Sequence, residues 1–301
     1  MTPMAEMSLT DFGIGIALYV NGILRCSRRY FVPLMVVILS FNSGAQARER
    51  LDLPSFDRTK AQALTPEKHA EYERLLFNEI SYWNAGSPRH DLWSRQREWL
   101  QMANDGYELA YIALQVVSPT QGTFAVDKPL RRLSELAERG DAGAMCLAYY
   151  LVVFSSGEKN GGDKKDLLQH YMIRGAEKHH PACLALVGAR TLEGLPGFVQ
   201  DKPKGFRMLV ETERQKYDGG ALELWGYFRD KGLGNAAFVT RQYCWGLASA
   251  AYSIYAKPAY LLEELAAYAK EKRRPDLLEL SERLGKTTYT VEDCVNLGLG
   301  E

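Results

Sequence analysis

A helix end running into glycine and then into a new helix recurs along this chain at nearly constant spacing, and few folds can accommodate that. Met102-Ala103-Asn104-Asp105-Gly106 recurs as Leu136-Ala137-Glu138-Arg139-Gly140, 34 residues on, and in looser form as Gly175-Ala176-Glu177-Lys178-His179. Gly188 and Gly194 recur as Gly226 and Gly232, an offset of 38. Helical periods in the thirties mark all-α solenoids, in which each helix pair buries its apolar face only by stacking on neighbours. A chain of 301 residues built this way needs no second core.

Before the repeats lies a different signal. Arg25, Arg28 and Arg29 precede an apolar run from Tyr30 to Phe41, and Asn42-Ser43-Gly44-Ala45-Gln46-Ala47 follows. A basic stretch, an apolar segment too short to span a bilayer and an Ala-x-Ala ending predict a secretory signal peptide cut after Ala47. Residues 1 to 24 carry a second apolar run, Phe12 to Leu24, broken by Gly13, Gly15 and Gly22. It reads as an upstream extension from a misplaced start codon, with a membrane anchor as the alternative. The expected compartment is the periplasm, and the expected mature N-terminus is Arg48.

Without residues 1–47 the chain keeps 34 basic and 35 acidic residues. That balance argues against a nucleic-acid binder, which shows a basic excess, and no basic amphipathic helix suggests a membrane surface. Four cysteines remain, Cys146, Cys183, Cys244 and Cys294, in no zinc spacing and no short paired framework. Cys146 and Cys183 fall on the first helices of adjacent repeats and could meet. Free buried thiols are the commoner outcome on apolar helical faces and are the expectation here.

The domain reading is an irregular leader over 48–64, a helical array over 65–289 and a terminal cap over 290–301. Thr65 and Pro66 open the first helix, with Tyr72, Leu75, Leu76, Ile80 and Trp83 at helical spacing. Successive units register on a small residue in each first helix: Ala110, Ala144, Cys183, Ala221 and Ala259. Thr290-Val291-Glu292-Asp293 has the form of a capping box for a short closing helix.

The stretch from Cys183 to Gly205 resembles the Sel1-like, or TPR-like, repeat. It carries a small residue at Cys183, Val187-Gly188, Thr191, the loop glycines Gly194 and Gly197, Val199, Asp201, and Lys204 with Gly205. Ala221 to Gly234 repeats the pattern with Trp225 before Gly226; Ala144 to Gly175 and the unit around Ala110 follow it less closely, and both ends poorly. The paired glycines suit a turn of positive φ, and Asp201 suits a helix cap. The resemblance implies a scaffold that binds partners on a concave face lined by first helices. Exported single-domain members resemble immunity proteins of type VI secretion effectors, phospholipases among them. The implied partner is a secreted antibacterial toxin, with no catalysis and no cofactor. The alternatives are an envelope scaffold that assembles other proteins and a binder of small molecules or peptidoglycan fragments.

The expected partner-binding residues are Tyr150, Arg190, Glu193, Tyr227 and Asp230, first-helix positions carrying side chains favoured at interfaces. His179-His180-Pro181-Ala182-Cys183 is the one cluster of metal-capable side chains in sequence. Zinc takes four ligands and no others lie nearby in the chain, so this segment reads as an exposed turn and not a metal site. No nucleophile elbow, zinc-protease helix or phosphate-binding glycine loop is present.

Overall fold

Proline at the first helical position, small residues where helices meet and left-handed turns that recur after helix ends set this architecture. The computed structural model describes residues 53, 55–84, 92–117, 127–156, 165–249 and 258–300. The expected signal peptide, its cleavage site and the upstream apolar run lie outside them. Among the described residues there are fourteen helices and no strand, so the chain is all-α. They are α1 (Arg58–Ala63), α2 (Pro66–Asn84), α3 (Leu92–Asn104), α4 (Glu108–Val117), α5 (Asp127–Glu138), α6 (Ala142–Ser156) and α7 (Lys165–Glu177). Then follow α8 (Pro181–Glu193), α9 (Lys202–Arg214), α10 (Gly219–Arg229), α11 (Ala236–Ser249), α12 (Pro258–Glu271), α13 (Pro275–Leu284) and α14 (Val291–Leu297). From α3 to α13 helices pack on their sequence neighbours, α4 also touches α6, α8 also touches α10, and α14 packs on α11.

The recurring turn has one backbone form. At Gly106 and Gly140, φ is +106° and +95°. In each turn that residue's N–H donates three residues back and the next N–H five back: Gly106 to Ala103 and Tyr107 to Met102, then Gly140 to Ala137 and Asp141 to Leu136. This is the double bond of a Schellman helix end. The same pair of bonds closes α7 at His179 (φ +59°), α9 at Lys216 (φ +58°) and α12 at Arg273 (φ +54°). Three non-glycine residues therefore accept a conformation costing about 1 kcal/mol or more to complete the turn. The first four turns fall 34, 39 and 37 residues apart.

Close approach explains the small residues. Ala110, Ala144, Cys183 and Ala221 are fully buried. Ala259 is exposed, which corrects the register for the last pair: α12 turns a different face to its neighbours. Glycine does more between α8 and α9. A Cβ on Gly205 would lie 2.5 Å from Leu192 N and 2.7 Å from Gly188 O, so the two backbones touch there. Asp201 caps α9 by accepting from Lys204 N at 2.9 Å.

The segment before α2 is not wholly irregular. Asp57 accepts from Thr59 N and opens α1. Lys60 Nζ donates to Asn104 O at 3.0 Å, and Phe56 lies 5.5 Å from the Tyr111 ring, so this leader drapes over α3 and α4. At the far end Thr290 and Asp293 form both arms of the capping box of α14. Arg241 of α11 donates to the carbonyls of Leu297 and Gly298, seating that helix.

All four cysteines considered above are oxidised, contrary to the expectation of free thiols: Cys146 pairs with Cys183 and Cys244 with Cys294, each at a Cα separation of 5.5 Å. That separation is within bridging range. Gly175 makes room for the first pair, since a Cβ there would meet Cys183 Sγ at 2.5 Å and Cys146 Sγ at 3.1 Å.

Glu213, at the end of α9, accepts from Ala221 N in the first turn of α10 at 2.7 Å. Burial pushes its carboxyl up to about 8; the Ala221 bond opposes this and the Asp218 charge adds to it. A carboxyl raised by folding favours the native state when protonated. Its contribution is full below the ordinary value near 4.5 and is lost as pH rises through about 8. Thermal unfolding across that window should therefore show wild type losing stability relative to Glu213→Gln, with the variant the more stable above neutrality. Parallel curves would show that Glu213 ionises without penalty.

Candidate functional site

Two places gather chemistry-bearing side chains. The first lies along α8 and α10. On α8, residues 190 and 193 are three apart and share a face; on α10, Glu223 and Tyr227 are four apart, and Asp230 follows just past the helix end. Arg190 Nη2 donates to the Tyr149 hydroxyl and its guanidinium lies 5.1 Å from that ring's centre, while Nη1 donates to Leu186 O at 3.1 Å. These bonds hold the arginine between α6 and α8.

Three carboxylates share its field. Crowding by protein raises the Glu193 carboxyl; Asp230 adds to this, and Lys231 and Arg190 oppose it. Glu223 is raised further, to about 7, by the same crowding, with Arg190 opposing and Glu193 adding. By surface area Glu223 is nevertheless exposed.

Arg190, Glu193 and Asp230 are thus neighbours, as expected for residues of one surface. Tyr150 is not part of it: it is 7% exposed, and its hydroxyl sits 3.1 Å from that of Tyr217 in the core. One helical step turns a side chain by about 100°, and Tyr149 takes the outward place. Tyr227 is also 7% exposed, with Lys231 Nζ 4.3 Å above its ring, so it supports the surface from beneath. Asp230 pairs with Arg229 at 3.3 Å. Sequence reasoning missed Tyr149 and Glu223. The second was within reach, because it lies one turn before Tyr227.

The second place is around His180. The exposed-turn reading holds for His179 but fails for His180, which is 5% exposed. His180 Nδ1 lies 3.1 Å from Cys146 Sγ, and Nε2 lies 3.2 Å from Glu73 Oε1. Burial pushes the Glu73 carboxyl up, but the His180 hydrogen bond and the charges of His180 and His69 outweigh it, leaving the carboxyl below its ordinary value. The Phe77 ring stands edge-on to the imidazole at 4.6 Å. Beside them a cleft of about 430 Å³, lined by Glu71, Glu73, Phe77, His180, Gln215 and Tyr217, reaches this ring from outside. The partners are 34 and 107 residues from His180, so no local motif announces the cluster.

No family model, no curated protein and no solved structure matches this chain.

Proposed function

We propose that this chain is a periplasmic protein-binding α-solenoid of Sel1-like repeats that acts as an immunity protein, neutralising an antibacterial type VI secretion effector of the phospholipase class. The observation that supports partner binding is the cluster in which Arg190, Glu193, Glu223 and Asp230 share one field. Turns of one form spaced 34, 39 and 37 residues apart support the repeat reading. Two disulfides support an oxidising compartment. Among the described residues no helix is long and apolar enough to cross a membrane.

Neutralisation by such a protein needs no chemistry of its own. The groove covers the toxin's active-site cleft or locks a mobile loop, and three carboxylates around one arginine select a partner that presents basic side chains. Arg190→Glu removes the guanidinium seated on Tyr149, so if Arg190 anchors the partner the change should weaken the complex by about 10-fold or more, and weaken it more than it weakens folding. Calorimetric titration against the partner reads this; unchanged affinity would move the binding surface elsewhere.

The decisive test tags the C-terminus and recovers the chain from the envelope of its native host while antibacterial secretion is active. One exported toxin at near-equal amount, together with killing of a deletion strain by toxin-bearing siblings, is the expected result. Several envelope proteins at low occupancy, with a deletion strain that survives the challenge, would replace the immunity reading by an envelope scaffold.

A further inference from the structure

Cys146, His180 and Cys183 are all buried, and their ligand atoms lie within 4.8 Å of one another. In the oxidised chain this grouping leaves an imbalance. When the neutral His180 ring donates Nε2–H to Glu73, its Nδ1 lone pair points at Cys146 Sγ, 3.1 Å away. A disulfide sulfur has no proton to give. Reduction gives that lone pair a partner, either the Cys146 S–H proton or a metal ion held between the two atoms.

The arrangement has the parts of a zinc site. With zinc–sulfur near 2.3 Å and zinc–nitrogen near 2.0–2.1 Å, neighbouring ligands in a tetrahedron stand about 3.5 Å apart; His180 Nδ1 and Cys146 Sγ, 3.1 Å apart, are already near this, and the two sulfurs must part once their bond is reduced. The carboxylate on the far ring nitrogen is the usual outer partner of a zinc-bound histidine, fixing the tautomer and turning the free lone pair toward the metal. Gly175 presents no side chain to the sulfurs, so both lie close against its backbone. The cleft at His180 and Glu73 gives an ion a path.

We propose that, with the Cys146–Cys183 bond reduced, Cys146, Cys183 and His180 bind one zinc ion, Glu73 orients His180, and water takes the fourth position. A dithiol reductant supplies two electrons and two protons to the disulfide and becomes a disulfide itself, leaving two thiols. Zinc then displaces both thiol protons and binds the two thiolates, so the site is electrically neutral. In the reverse step a small-molecule disulfide takes two electrons from the thiolates and two protons from solvent and becomes a dithiol, which re-forms the Cys146–Cys183 bond, removes two ligands and expels the ion. The chain thus exchanges one cross-link between α6 and α8 for another according to redox state.

The test uses the full chain reduced anaerobically with a phosphine, with zinc alone as the probe. The reduced protein should bind one zinc per chain, and the oxidised protein none. Zinc should slow alkylation of Cys146 and Cys183, mapped by mass spectrometry, and leave Cys244 and Cys294 unprotected. Glu73→Gln should weaken zinc by about 10- to 100-fold with helical circular dichroism retained, and His180→Ala should weaken it further. No zinc uptake by the reduced chain, or equal protection of both cysteine pairs, overturns the proposal; the alkylation map requires no variant to fold.

Discussion

Alanine in place of Gly205 is expected to destabilise the protein by about 3 kcal/mol, the upper end of what an added methyl costs in a packed interior. The methyl would stand 2.5 Å from Leu192 N, 2.7 Å from Leu192 Cα and 2.7 Å from Gly188 O. All three are backbone atoms, so no side chain can swing aside; α8 and α9 must separate along their length. For a chain of this size that loss lowers the unfolding temperature by roughly 6–12 °C. Gly226→Ala is the matched control, since nothing lies within 4 Å of a Cβ there and helix propensity favours alanine by up to about 1 kcal/mol. Thermal unfolding of the two variants should give opposite signs. A Gly205→Ala protein as stable as wild type would mean that the helices do not approach this closely.

Replacing Cys244 and Cys294 together by serine should cost about 2–4 kcal/mol. The bridge closes a loop across a sequence separation of 50, long enough for the chain-entropy account to give about 4 kcal/mol. The Arg241 bonds to Leu297 and Gly298 remain in the variant, so α14 should fray and not detach. Denaturant midpoints with amide exchange on residues 291–297 measure both effects. A change below about 1 kcal/mol with unchanged exchange would show that the arginine clamp alone holds the helix.

What was legible in the sequence was whatever the backbone dictates locally. Glycine at 106, 140, 194 and 197 stands at positive φ because few other residues adopt it freely. Asp201 and Thr290 cap their helices because a short oxygen-bearing side chain before a helix has free N–H groups in reach. His179 shows the limit of that logic: its unit resembled the glycine turns only loosely, yet it takes their conformation because the helices on either side demand it. The groove was half legible. Helical spacing joins Arg190 to Glu193, but whether Tyr149 or Tyr150 faces outward depends on how α6 rolls against its neighbours. The His180 cluster was illegible, because Glu73, Cys146 and His180 come from three helix pairs, and only packing brings them together.

The two disulfides join cysteines that are consecutive among the four, first with second and third with fourth, one of three pairings open to such a set. A polypeptide that emerges N-terminus first and meets an oxidant as it appears closes each bond with the next thiol to arrive. If the segment carrying Cys26 is removed on export, as proposed, Cys183 follows Cys146 before Cys244 is available to compete, and Cys294 finds Cys244 as its remaining mate. The native linkage is therefore reached in order of appearance, without the slow reshuffling that interleaved pairings require.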